Sequence, residues 1–173
     1  MRTTSAIDVT LRDGRRVKIR PIRRDDVTGT AEFIDRLSME TKHALFLGGI
    51  AHLSDAALRS LCDPADARDV AYVATAEGAD GRVRQVGLCR YAGAGSVAGG
   101  EISVAVADDW QRQGLGTKLL NVLIEHARSR GVTRLYSMDS ASNDGIRRLA
   151  RAAGFSEQRD PDDIHQVIYS LRP

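Results

Sequence analysis

The chain is predicted to form an α/β domain in which a mixed, mostly antiparallel sheet carries helices on both faces. Two patterns predict it. Residues 9–12 and 16–20 alternate in polarity across Asp13-Gly14, a strong two-residue hairpin signal. Further on, a strand ending at Ala107, a helix to Arg130, a strand over residues 135–138 and a helix to Ala153 form a β-α-β-α unit. Length agrees with both: 173 residues suit one domain, 1–173, with a real core and little room for a second.

Taken in order, the strand after the hairpin stops at Pro21, and Val27, Ala31, Ile34 and Leu37 trace one face of a first helix behind the acidic pair Asp25-Asp26. Ser38 and Ser54 are N-cap residues for two further helices, over residues 40–47 and 55–62. Strands over residues 70–75 and 86–91 follow, joined through Gly78 and Gly81. The glycine-rich run 93–100 joins two strands and opens no helix, so it reads as a flexible connection at the mouth of a site. Residues 102–107 are a buried strand. Leu115, Leu119, Leu123 and Ala127 then recur every four residues on one helical face, closed by Arg128, Arg130 and the stop signal Gly131. A helix opening near Asn143 and closing at Gly154-Phe155, and a last strand over Gln166–Leu171, complete the order. Asp108 and Asp109 precede the long helix and should favour its dipole, and Trp110 should pack beneath the turn.

The turn itself is the most informative segment. Gln111, Arg112, Gln113, Gly114, Leu115 and Gly116 lie between the strand and the long helix. The first N–H groups of a helix have no intrahelical partner, and Gly114 and Gly116 have no Cβ, so a phosphate can approach the helix's positive end. Two familiar phosphate loops fail on spacing. A Walker A loop needs Lys directly after its last glycine, whereas Thr117 precedes Lys118; a dinucleotide fingerprint needs a third glycine, where this chain has Leu119.

What fits is Q/R-x-x-G-x-G/A. Over residues 111–116 the chain resembles the GNAT N-acyltransferases, whose pattern also has an asparagine and a Gly-Phe pair where Asn143 and Gly154-Phe155 stand. The resemblance implies a GNAT-like fold and acetyl-CoA as co-substrate. It implies that Val104, Ala105 and Val106 pair with the pantetheine arm, that Arg112, Gln113, Gly114, Leu115, Gly116 and Thr117, introduced by Gln111, hold the diphosphate, and that Asn143 meets the arm while also serving as an N-cap. Arg147 and Arg148 are further candidates for phosphate contact.

Transfer to an amine requires a neutral nucleophile. A lysine of ordinary pKa loses roughly 4 kcal/mol in becoming neutral near pH 7.4, so a base must take its proton. Glu101, at the start of the acyl-binding strand, is the best-placed carboxylate, although a solvated strand-end glutamate is common in any sheet. Across nearly its whole length the chain is similar to the acetyltransferase domain of bacterial Pat-type protein lysine acetyltransferases, at residues 19–22, 37–40, Phe46, 53–55, 71–74, 87–91 and 101–111. In that family the glutamate aligned with Glu101 is the general base. Where other GNAT branches carry a tyrosine acid this chain has Ala150, and where ribosomal-protein acetyltransferases carry a strand glutamate it has Met138. A thiolate leaving group is only weakly basic, so a dedicated acid is less necessary.

Composition narrows the remaining classes. A net charge of +2 with scattered basic residues and 5% aromatics gives neither a basic stripe nor a stacking platform for nucleic acid. Without a signal-like apolar region or a run long enough to span a bilayer, a cytoplasmic protein with no membrane partner is expected. Cys62 and Cys89 have no CxxC partners, and His43, His52, His126 and His165 lack ligand spacing, so no metal is expected. The expectation is a single-domain N-acetyltransferase, with protein lysine as acceptor ahead of a small amine, and with a homodimer allowed. A coenzyme A binding sensor without catalysis is the reading from another class, and Glu101 argues against it, since binding needs no base.

Overall fold

A computed structural model describes residues 6–46, 53–63, 69–93 and 99–173; the side chains of residues 43–46 lie outside that description. Among the described residues the eight strands are β1 (Ile7–Thr10), β2 (Arg16–Pro21), β3 (Val70–Glu77), β4 (Val83–Gly93), β5 (Gly100–Val106), β6 (Leu135–Ser140), β7 (Ser156–Arg159) and β8 (Gln166–Leu171). They form one sheet in the order β1-β2-β3-β4-β5-β6-β8-β7. Neighbours are antiparallel except β5 and β6, which run parallel. The expected mixed, mostly antiparallel sheet is what forms.

Among the described residues five α-helices cover it: α1 (Val27–Arg36), α2 (Met39–Phe46), α3 (Asp55–Cys62), α4 (Leu115–Ser129) and α5 (Asp144–Ala152). Strand alternation sorts the core into two layers. Tyr72, Ala74, Cys89 and Ile102 face the α4 side and pack with Leu115, Leu119, Leu123, Ala150 and Phe155. Ala71, Val73, Leu88 and Ala105 face the other side and pack with Phe33, Ile34 and Leu37 of the α1 segment and Leu58 and Leu61 of α3. The four-residue spacing along α4 places Leu119 and Leu123 at complete burial. Truncating either to Ala is expected to cost about 2–5 kcal/mol. Gly131, at φ +70°, ends α4 as expected.

Some elements differ from the sequence reading. The first hairpin is not closed by a two-residue turn: pairing begins at Thr10↔Arg16, and residues 11–15 form the connection, with Leu11 N–H donating to Arg15 O at 2.8 Å and Gly14 at φ +86°. The Asp13 carboxylate accepts the Arg15 N–H at 3.0 Å, which stabilises this longer loop. Strand β7 was not anticipated, because its four residues, Ser-Glu-Gln-Arg, are all exposed and polar and offer no alternation; pairing with β8 along the sheet edge makes it a strand. Helix α2 begins at Met39, and Leu47 of the expected 40–47 helix lies outside the described residues, as do residues 94–98 of the glycine-rich connection.

Candidate active site

The central feature is a gap in the sheet. Among the described residues, β5 and β6 pair at Gly100↔Leu135 and Glu101↔Tyr136 and then part. Gly100 N–H donates to Arg134 O on the β6 side, while Ala107 N–H donates to Val86 O on the β4 side. Alternation between these two fixed points directs the main-chain groups of Ile102, Val104 and Val106 toward the gap. Ala105, by contrast, presents its main chain to β4 and its side chain to the α1 layer.

The gap opens into a cleft between β5, β6, α4 and α5. Ile102 and Val104 line it from β5, Leu120 from α4, Ser137 from β6, and Ile146, Leu149 and Ala150 from α5, with Phe155 and Tyr169 completing the walls. Ala150 adds a methyl group there and no acid. The lining is apolar apart from Ser137 and Tyr169, whose phenol burial and nearby Glu157 push above its ordinary value. Tyr169 therefore stays protonated at neutral pH.

At the mouth lies the turn before α4. Gly114 is the N-cap, at φ +91°, a left-handed conformation that costs a residue with a Cβ about 1–2 kcal/mol. Arg112 is also left-handed, at φ +61°. Lys118 N–H to Gly114 O, at 3.2 Å, is the first helical bond, so the amides of Leu115, Gly116 and Thr117 lie ahead of the ladder and point outward as an anion-binding end. A Cβ on Gly116 would lie 3.5 Å from Leu149 and 3.8 Å from Val106, so this glycine faces the cleft mouth between β5 and α5. Leu115 is buried and anchors the turn in the core.

Two hairpin arginines, unforeseen in the sequence, reach this turn. Arg15 stacks 3.8 Å over Trp110 and donates to Asp109 O at 3.1 Å. Arg12 donates its main-chain N–H to Gln113 O at 3.2 Å, and its exposed side chain passes beside Gly114, with Nε 3.8 Å from where a Cβ would stand. Nothing local marks either residue, since roughly a hundred positions separate them from the turn. Trp110 is half-buried beneath the turn, as expected.

Asp108 does not serve α4. It lies in a 3-10 turn, Asp108–Trp110, upstream of the loop, and its carboxylate accepts from Ser38 N–H (2.9 Å), the Ser38 hydroxyl (2.7 Å) and the Thr41 hydroxyl (2.9 Å). Partial burial alone would raise its pKa, but these hydrogen bonds hold the carboxyl below the usual carboxylate range. The Gln111 side-chain amide donates to Val106 O and to Thr41 Oγ1, both at 3.1 Å, and so secures the root of the loop.

Glu101 is half-buried and lies in register with Ala92 and Tyr136. It shares the α1-side face with Ser103 and Ala105, opposite Ile102 and Val104. The strands part immediately beyond it, so its face and the cleft meet at this point. Gly100, next to it, allows β5 to start here, because a Cβ would run into the Tyr91 ring and the Ala92 carbonyl.

Asn143 caps α5 by accepting the Ile146 N–H at 3.1 Å, and donates through Nδ2 to the buried Asp139 at 3.1 Å. Arg147 is tied to Asp144, Glu157 and Ala141 O, so its guanidinium is held within the fold. Burial pushes the thiols of Cys62 and Cys89 above their ordinary values, which suits neither to nucleophilic attack. Among the described residues no three His, Cys, Asp or Glu side chains gather as a metal site, and no helix is long and apolar enough to cross a membrane.

Comparison with known families matches residues 32–155 to the Acetyltransferase (GNAT) family. The chain belongs to this family. An acetyltransferase of Pseudomonas aeruginosa is 45% identical over 161 residues, 93% of this chain and 86% of that one. The [ribosomal protein bS18]-alanine N-acetyltransferase of Escherichia coli K12 is 44% identical over 55 residues, 32% of this chain and 37% of the relative. Among solved structures, the GNAT domain of S. lividans PAT superposes with a TM-score of 0.86 at 24% identity, covering 97% of each chain. The protein is thus a GNAT acyl-coenzyme A dependent acetyltransferase, and the mixed sheet with its β5–β6 gap is the GNAT fold.

Proposed function

We propose that the protein transfers the acetyl group of acetyl-CoA directly to a primary amine, most readily a protein lysine, with Glu101 as general base. The observation that carries this reading is the parting of β5 and β6 at Glu101, which joins the coenzyme cleft to the face bearing the carboxylate.

In this reading the amides of residues 112–117 hold the diphosphate at the start of α4, and Arg12 adds a cation beside Gly114. The pantetheine arm lies in the gap, where Val104 offers its main-chain N–H and C=O as a strand neighbour would. Val106 and Glu101 are separated by about 17 Å of extended chain, comparable with an extended arm, so the thioester arrives beside Glu101. Ala105 contributes to the strand without facing the arm. Asn143 orders the opposite wall by capping α5, with its amide facing Asp139 and the arm.

The chemistry follows. Glu101 takes the ammonium proton directly or through water, the neutral amine attacks the thioester carbonyl, and the zwitterionic tetrahedral intermediate collapses to the amide as its surplus nitrogen proton passes through water to the departing coenzyme A thiolate. With Ala150 at the cleft wall, the thiolate leaves without a tyrosine acid from α5. The two buried thiols support direct attack over an acyl-cysteine intermediate. The lysine preference rests on the resemblance to Pat-type enzymes.

The test pairs labelled acetyl-CoA with a cell lysate. Label on lysines of intact proteins, lost with Glu101→Gln, supports the reading. Label confined to small amines overturns the protein acceptor, and undiminished labelling by Glu101→Gln overturns the base.

A further inference from the structure

The side chains of Ser38, Thr41, Asp108 and Gln111 form a hydrogen-bonded circuit. Gln111 Nε2 has two protons, and they meet Val106 O and Thr41 Oγ1. The Thr41 hydroxyl passes its proton to Asp108 Oδ1 at 2.9 Å. Ser38 Oγ donates to the same oxygen at 2.7 Å and accepts the Thr41 N–H at 3.2 Å, which caps α2. Asp108 Oδ2 receives the Ser38 N–H at 2.9 Å. An ionised carboxylate accepting three protons is stronger than the same number of neutral bonds.

This circuit ties together two structures with different tasks. Gln111 and Asp108 flank the root of the coenzyme loop. Ser38 and Thr41 are the first turn of α2, which follows directly from Leu37 in the α1-side core and adjoins β5 on the face that carries Glu101 and Ser103. Helix α2 is about 12 Å long, too short to hold its own position without such an anchor. We infer that Asp108, with Gln111 and Thr41, is a positioning device that passes the seating of coenzyme A in the loop to α2 and so sets the acceptor side of the site. Occupied, the loop is fixed by its phosphate contacts; the circuit is thereby fixed at one end, and α2 is held at its first turn. Gln111 then acts on the acceptor through α2 rather than by touching the diphosphate. This inference rests on the coenzyme reading above.

Hydrogen exchange of the whole chain, with and without coenzyme A, tests it. In the wild type, coenzyme A should slow exchange at residues 112–117 and also at residues 41–46 by about tenfold, although the second group lies outside the diphosphate site. Asp108→Asn and, independently, Thr41→Val should abolish the second effect while keeping the first, with coenzyme A affinity by calorimetry changed less than about threefold. With a lysine-containing peptide as acceptor probe, the same variants should raise acceptor KM about tenfold and leave acetyl-CoA KM near its wild-type value. Protection at 112–117 without any at 41–46 in the wild type overturns the coupling and spares the coenzyme reading, as does protection at 41–46 that survives both substitutions. A purely structural role is distinguished because it would speed exchange in α2 equally with and without coenzyme A. Absence of protection at 112–117 overturns the coenzyme reading itself, and the coupling falls with it.

Discussion

On one face of β5, Ile102 and Val104 look into a cleft whose mouth and walls come from residues 102–120 and 137–155, with Tyr169 from β8. On the other face, that of Glu101 and Ser103, α2 adjoins β5 and is hydrogen-bonded at its first turn to residues 67 to 70 positions away. On the proposed reading, the coenzyme side is built almost entirely from one continuous β-α-β-α segment, and the acceptor side from pieces gathered across the chain. A cofactor shared by a whole family can be served by a local motif.

Substitutions can break this division. The largest effect is expected at the junction. Glu101→Gln should lower acetyl transfer by about a hundredfold or more, with coenzyme A affinity by calorimetry unchanged within about twofold. Comparable loss of coenzyme binding would place Glu101 on the coenzyme side and dissolve the division there. Next comes Gly116→Val, which puts methyl groups into the cleft mouth facing Leu149 and Val106. Coenzyme A should bind at least about tenfold more weakly while the melting temperature holds, since replacing glycine by valine in a helix is favourable by only about a few tenths of a kcal/mol. A normal dissociation constant would show that the arm does not pass this glycine.

Smaller effects sharpen the picture. Arg12→Ala should weaken coenzyme A binding about fivefold at low salt, with the deficit shrinking as ionic strength rises, because an exposed cation is readily screened. Equal loss at all salt concentrations would mean that Arg12 acts by holding Gln113 rather than by charge. The smallest expected effect separates fold from site. His126 lies with Nδ1 3.1 Å from Tyr72 Oη, and burial, aided by Arg130, lowers its pKa below the ordinary histidine value. A lowered folded-state pKa means that the unfolded chain binds the proton more readily. The stability due to neutral His126 is therefore complete above about pH 6.5 and is lost as pH falls through the folded-state value. Melting temperature should fall over that acidic range, and His126→Phe should flatten the slope. An unchanged slope in the variant would assign it to other groups.

How far the sequence could be read follows the same division. Glycine at 114 and 116, the four-residue spacing from Leu115 to Ala127 and the stop at Gly131 are local signals, and each lies where local physics requires. The gap between β5 and β6 has no signal in the sequence, because no pattern within a strand reports that its neighbour diverges. Asp108 shows the limit most clearly. Its position before a helix suggests a dipole partner, yet its charge is directed to Ser38, which the sequence places 70 residues earlier. Arg12 and Arg15 are unremarkable hairpin residues until the sheet brings their loop beside Gly114 and Trp110. Strand β7, wholly polar and exposed, is a strand only because β8 offers it an edge.

The most direct measurement is a titration of coenzyme A into isotopically labelled protein, following each backbone amide by NMR. The account predicts that the largest shifts fall on residues 112–117 and on Val104, with smaller ones at the first turn of α2. Failure to bind, or shifts centred on any other surface, would contradict it.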